Sequence, residues 1–201
     1  MKNADPVSRT LRKEATRKLL VETALDQYTL KGITATPTAD IARAAGVAHG
    51  TVFLHFSTQE ALVAAVIEDF GARVTLRLHE LVAQQATLRD VLTAHVRCLE
   101  EFEGFYTRLV VEGRLLPTST RTTLLGIQTA ISFHLAQAAD REAQEGRIAP
   151  CPSHLLFNTW LGLVHYYLTN GDLFAPDGSV LHKYGPELVD HLLGLLAPKK
   201  E

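Results

Sequence analysis

Residues 36–62 read TPTADIARAAGVAHGTVFLHFSTQEAL, two short helical patterns broken by a glycine and followed by a third. Thr36 followed by Pro37 is a helix start: a hydroxyl to cap free backbone N–H groups, then a residue whose fixed φ suits the first helical position. The spacing predicts a short helix to Ala45, with Ile41, Ala42 and Ala45 facing inward. Gly46 breaks it, where a positive φ costs a glycine little. Val47 returns to the core, and a second short helix follows from about Ala48 to Leu54. A longer helix starts near Ser57 or Thr58, with Glu60 in its first turn. Two short helices joined by a glycine turn, with small residues between them, form a helix-turn-helix. Val47, Val52 and Phe56 supply the contacts that set their crossing.

The second short helix has a face left over, carrying His49, Gly50, Thr51 and Phe53. Small and polar side chains suit a helix whose N-terminal end enters a major groove about 12 Å wide. Helix starts near Thr36 and Ala48 offer backbone N–H groups to phosphates.

Outward from this motif, helical periodicity covers nearly the whole chain, and alternating β-branched runs are absent. Upstream, Arg12 to Lys31 reads as one helix, with Leu20, Ala24 and Tyr28 recurring every four residues. Gly32 ends it, after a lysine placed to suit the negative helix end. Downstream, helical patterns cover about 58–84, 88–103, 105–116, 119–145, 153–170 and 185–197. Gly104, Pro117, Gly146 with Pro150 and Pro152, and the loop 170–178 separate them. The fold class is all-α: an N-terminal three-helix helix-turn-helix domain over 1–57 and a helical domain over 58–201.

Hydrophobic residues make up 46% of the 201 and charged residues 21%, enough for a core and against disorder. The net charge of −2 is unevenly spread. Residues 1–57 hold eight Lys/Arg against five carboxylates, so a basic head sits on an acidic body. A polyanion partner at the head is one reading of this, and a solvated helix surface the other. The polar stretch 1–18 lacks a signal peptide, and no run of about 18 apolar residues suggests a membrane span. Cys98 and Cys151 make no disulfide framework, so a cytoplasmic setting is expected. His95 and Cys98 share a helix face, but no third and fourth ligand stands at usable spacing, so no metal is expected. No phosphate-cradling glycine loop, HExxH or GxSxG occurs, so neither an enzyme nor a cofactor is expected.

The pattern Gly32-Ile33, Thr36, Ile41-Ala42, Ala45-Gly46-Val47, Gly50-Thr51, Phe53, His55-Phe56 and Glu60-Ala61-Leu62 resembles the TetR/AcrR family of one-component repressors. The likeness is strong over about 12–65. It implies a homodimer in which each subunit reads half of a palindromic operator on double-stranded DNA. It also implies a C-terminal domain that dimerises through its last two helices and encloses a small-molecule effector. Carried over by position, the DNA-contacting candidates are Thr36, Thr38, Arg43, His49, Gly50, Thr51, Phe53 and His55. Several positions depart from the family pattern: His49 and Gln59 stand where lysine is frequent, Phe53 where tyrosine is, and Pro37 where a capping Ser or Thr is. Ala48 stands where Ser or Thr is common. The basic run Arg9, Arg12, Lys13, Arg17 and Lys18 is expected near the DNA backbone. Histidine changes charge near neutrality, so His49 leads to the expectation that binding strengthens as pH falls.

For the effector, the aromatic segment around 101–108 supplies Phe102, Phe105, Tyr106 and Arg108, joined by Glu112, His134, Trp160 and Tyr166. Residues 153–170 and 185–197 are apolar around most of their circumference and must be buried on several sides. That fits a two-fold four-helix interface using Leu156, Phe157, Leu161, Val164, Leu188, Leu192 and Leu195, with a monomeric core as the alternative. The expected mechanism is allosteric: a ligand shifts the helix from 58 onward and takes the two reading helices away from the ~34–36 Å of one DNA turn. A C-terminal domain that binds another protein is the second reading.

Overall fold

The computed structural model describes residues 6–82 and 85–198. Its described part is helical throughout, with no strand. The head is α1 (Pro6–Lys31), α2 (Thr38–Ala44) and α3 (His49–His55). Gly32 and Gly46 both sit at positive φ, 96° and 67°, where an L side chain is strained. Gly46 N–H donates to the Arg43 carbonyl and Val47 N–H to the Ala42 carbonyl. This is a Schellman turn, which closes the orphan carbonyls of α2 and throws the chain into α3. Leu20, Ala24 and Tyr28 of α1 bury against Ile41 and Ala42 of α2, Val52 of α3, and Ile33 and Phe56.

The body comprises α4 (Gln59–Leu81), α5 (Leu88–Glu100), α6 (Glu103–Glu112), a 3₁₀ turn (Gly113–Leu115), α7 (Thr118–Gln144), α8 (Ser153–Thr169), α9 (Gly171–Phe174) and α10 (Val180–Leu195). Local capping explains several starts. Thr58 accepts from Ala61 N–H at α4. At α5, Thr87 and Asp90 form a reciprocal capping box. α4 packs on α7, α5 on α10, and α8 lies against α6, α7 and α10. Bare glycine backbone makes two of these approaches close. A methyl on Gly71 of α4 would overlap the Ile127 side chain of α7, and one on Gly185 of α10 would lie 2.5 Å from Val96 Cγ1 of α5.

Several boundaries differ from the sequence expectation, beginning with α1, which starts six residues ahead of Arg12. Thr36 is not the cap of α2: Pro37 holds that place, and the Thr36 hydroxyl donates back to the Gly32 carbonyl at 2.6 Å. The loop expected after 170 contains the short α9. The last helix begins five residues before the expected 185, with Pro186 inside it. Ser179 accepts from His182 N–H there, and the Glu103 carboxylate of α6 accepts from Val180 and Leu181 N–H. Those acceptors satisfy the first turn, so the helix starts ahead of the proline.

Candidate nucleic-acid interface and effector cavity

The outer face of α3 presents His49, Gly50, Phe53 and Leu54 to solvent, while Val52 on its inner face is fully buried. The His49 ring packs edge-on against Phe53 at 5.1 Å between centroids. His49 Nε2 lies 3.0 Å from the Thr38 hydroxyl, so the first residue of α2 holds the first residue of α3. Arg43 is exposed and pairs with Asp40 at 3.1 Å, and Lys31 reaches the same carboxylate at 3.3 Å. Thr51 is half-buried.

Two of the expected DNA contacts do not face outward. Thr36 is fully buried and its hydroxyl is engaged, and Thr38 is buried with its hydroxyl on His49. Both shape the turn rather than the surface. The Gln59 amide donates to the Thr36 carbonyl at 3.3 Å, so it ties α4 to the start of α2. Leu54, 78% exposed beside Phe53, was missed, because a leucine in a helical pattern reads as core.

The basic run lies in the N-terminal half of α1. Arg17 stands over the Phe56 ring at 4.9 Å, a cation–π contact that holds it beside the end of α3. His55, half-buried in the same corner, is pushed below the ordinary histidine range by burial and then by the charges of Lys13 and Arg17. Among the described residues, Lys13 and Arg17 make no ion pair, and on its other side Arg17 lines a groove shared with Glu14, Glu68 and Asp69.

Inside the body, α4, α5, α6, α7 and α8 enclose a cavity of about 20 Å³. Phe70, Val74, Leu78, Leu99, Leu124, Ile131 and Leu161 give it apolar walls, and Thr75, His95, Tyr106 and Gln128 are its polar members. Trp160 is fully buried and its indole N–H donates to His95 Nδ1 at 2.9 Å. Burial, and secondarily the neighbouring His165, pushes the His95 pKa down to about 3, so the ring is neutral. The Tyr106 hydroxyl lies 2.8 Å from His165 Nε2, and burial raises its pKa to about 12. Outside the cavity a groove of about 650 Å³ runs between α4 and α7. Thr75 and Ile127 line both spaces.

Of the expected effector residues, only Tyr106 lines this cavity directly. Phe102 and Phe105 pack edge-on against its wall residue Phe70, and Trp160 acts through His95. His134 lines the outer groove. Tyr166 is 62% exposed on the outer side of α8, away from the cavity. Arg108 and Glu112 are also not cavity residues. Arg108 donates to the Thr29 and Leu30 carbonyls near the C-terminal end of α1, both at 3.4 Å. Glu112 accepts from Ile33 N–H at 3.2 Å, and from the Thr34 N–H and hydroxyl at 2.7 Å each. One turn apart on α6, this cation and anion grip the end of α1 and the turn after it. The same helix carries Tyr106 into the cavity.

The expected dimer residues divide differently. Leu156, Leu161, Val164, Leu188 and Leu192 are buried within the protomer and Phe157 half-buried, because α8 is ringed by α6, α7 and α10. Only Leu195 is exposed. On the outer face of α8 stand Leu155, Gly162 and Tyr166 instead. Among the described residues, no group of three or more His, Cys, Asp or Glu is placed to hold a metal ion, and no single helix is long and apolar enough to cross a membrane.

Residues 20–66 match the family described as bacterial regulatory proteins, tetR family. The HTH-type transcriptional repressor Rv3405c of Mycobacterium tuberculosis is 37% identical over 87 residues, 43% of this chain and 46% of that protein, so the chain spans about half the length of that relative. A probable acrEF/envCD operon repressor of Escherichia coli is 27% identical over 91% of this chain and 87% of that protein. The solved TetR family regulator PfmR from Thermus thermophilus has a TM-score of 0.72 at 20% identity, covering 90% of this chain and 99% of that one. FadR from Bacillus subtilis, solved with stearoyl-CoA, has a TM-score of 0.73 at 18% identity, covering 88% and 97%. Both likenesses carry the fold. With its glycine-turned helix-turn-helix, the chain matches the tetR family of bacterial regulatory proteins over residues 20–66, and its all-helical body has the fold of the solved tetR regulators.

Proposed function

We propose that this chain is a ligand-responsive transcriptional repressor, with residues 1–57 reading DNA and 58–201 holding the effector and the dimer contact. The observation that carries the reading is the exposed face of α3, bearing His49, Gly50 and Phe53, beside the unpaired cations Lys13 and Arg17. His49, Gly50, Thr51 and Phe53 are the base-edge contacts. Lys13, Arg17 and Arg43 take phosphate, with Arg43 exchanging Asp40 for it, and His55 lies at the border of that contact. Thr36 and Thr38 hold the geometry.

Two copies join through the outer face of α8 and α10, using Leu155, Tyr166 and Leu195, and read a palindromic operator. Neutral apolar walls with a few polar groups make the central cavity the effector site. Space gained there displaces α6 and α4, and the Arg108–Glu112 grip passes the movement of α6 to α1. This adds a second lever to the α4 route expected from the sequence.

Selection of bound DNA from a random pool at moderate salt, read by sequencing, tests the proposal. A two-fold palindrome is the expected product. Salt-sensitive binding with no enriched sequence would overturn sequence-specific repression.

A further inference from the structure

We propose that the central cavity recognises an uncharged, largely hydrocarbon molecule carrying one hydrogen-bond-accepting oxygen, which the His95 Nε2–H donates to, and that it rejects anions. This rests on the effector reading of the same cavity and names the chemistry of its ligand. No Asp, Glu, Lys or Arg lines the space. An ion moved into it would lose its hydration with no opposite charge in return.

The polar groups narrow the choice further. The Trp160 N–H occupies His95 Nδ1, so the neutral ring carries its proton on Nε2, and His95 is one of the lining residues. Burial keeps that ring from becoming a cation that an anion could use. The Tyr106 hydroxyl is already engaged with His165 Nε2. Gln128 lies against the Tyr106 hydroxyl and Thr75 adds a hydroxyl at the groove side, so the polar lining is wholly neutral, and the His95 N–H within it is the complement of a ketone or ether oxygen on a hydrocarbon frame.

In the closed form the space admits about one water. Ile127 stands between the cavity and the outer groove, seated over the bare backbone of Gly71. A ligand reaches the cavity by lifting Ile127 from that seat. That separates α7 from α4, the helix that leads directly out of the DNA-reading head.

Three probes of one size test this by calorimetry on the full chain at pH 7.5: 2-acetylnaphthalene, 2-ethylnaphthalene and 2-naphthoate. The ketone should bind about tenfold tighter than the hydrocarbon, the worth of one buried hydrogen bond. The carboxylate should bind at least about 100-fold more weakly than the ketone. In the double variant His95→Phe/Trp160→Phe, which removes both partners of the buried bond together, the ketone should lose its advantage over the hydrocarbon. Naphthoate binding as tightly as the ketone, a ketone preference that survives in the double variant, or no binding of any probe up to its solubility would each overturn the proposal. Operator selection on the same preparation separates the two readings. A chain that selects an operator but binds no probe loses only the ligand chemistry. A chain that binds the ketone but selects no DNA loses only the regulator reading.

Discussion

Replacing Glu112 by alanine should loosen the joint between the head and the body. Three hydrogen bonds disappear together. Ile33 is buried, so its N–H is left without an acceptor, an orphan that costs about 1–3 kcal/mol. Thr34 is exposed, so its N–H and hydroxyl find water and the net loss there is smaller, about 1 kcal/mol. Relief of carboxylate burial offsets part of this. The expected net loss is about 1–3 kcal/mol, a factor of roughly 5 to 150 in the opening equilibrium of the turn. Glu112→Gln keeps one acceptor oxygen and should lose about half as much. Amide exchange at Ile33 and urea unfolding measure both. Operator release by any ligand that acts on the wild type should also lose amplitude, since α6 no longer holds α1 at this point. Unchanged Ile33 exchange and an unchanged urea midpoint in Glu112→Ala would refute the joint.

Acid should destabilise the protein through His95. The unfolded ring takes a proton below its ordinary 6.5, whereas the folded ring stays neutral down to about 3. That stability is therefore complete above pH 6.5 and falls as pH drops toward 3, by on the order of 1 kcal/mol per pH unit. His55 and His165, both lowered, act in the same direction. Urea midpoints at pH 7.5 and 4.5 check this: the wild type should lose more than His95→Phe/Trp160→Phe, and equal losses would count against it. Gly71→Ala should force Ile127 off its seat and cost about 1–3 kcal/mol by overpacking. A melting temperature equal to wild type would show that α7 yields freely. Thr38→Val removes the hydroxyl beside His49 Nε2 and should weaken operator binding several-fold with little change in salt slope, since no charge is lost. Titration against the selected operator at two salt concentrations separates that from a general loss of phosphate contact.

The head was legible because its signals are local. Gly32 and Gly46 stand where the chain needs positive φ, and the four-residue spacing of Leu20, Ala24 and Tyr28 marks the buried stripe of α1. Thr36 was misread by one position because its hydroxyl has a nearer acceptor, the Gly32 carbonyl, than the N–H groups of α2. Glu112 reaches a turn 78 to 79 residues away, and no period in a sequence carries the identity of such a partner. The apolar girdle of α8 announced burial on all sides. It could not say whether another copy or α6, α7 and α10 supplied the cover, and Val164 and Leu188 are covered by their own protomer.

Trp160 is the only tryptophan in the chain, and its indole N–H is bound to a ring that lines the cavity. The protein therefore contains its own optical probe at the place of greatest interest. Emission excited at the red edge of the absorption band arises from one buried site, so its colour and lifetime follow what happens around His95 without any label. Events at the exposed face of α3 leave that signal unchanged unless the body moves with them, so a shift in emission when operator is added would be a direct view of coupling from the DNA side.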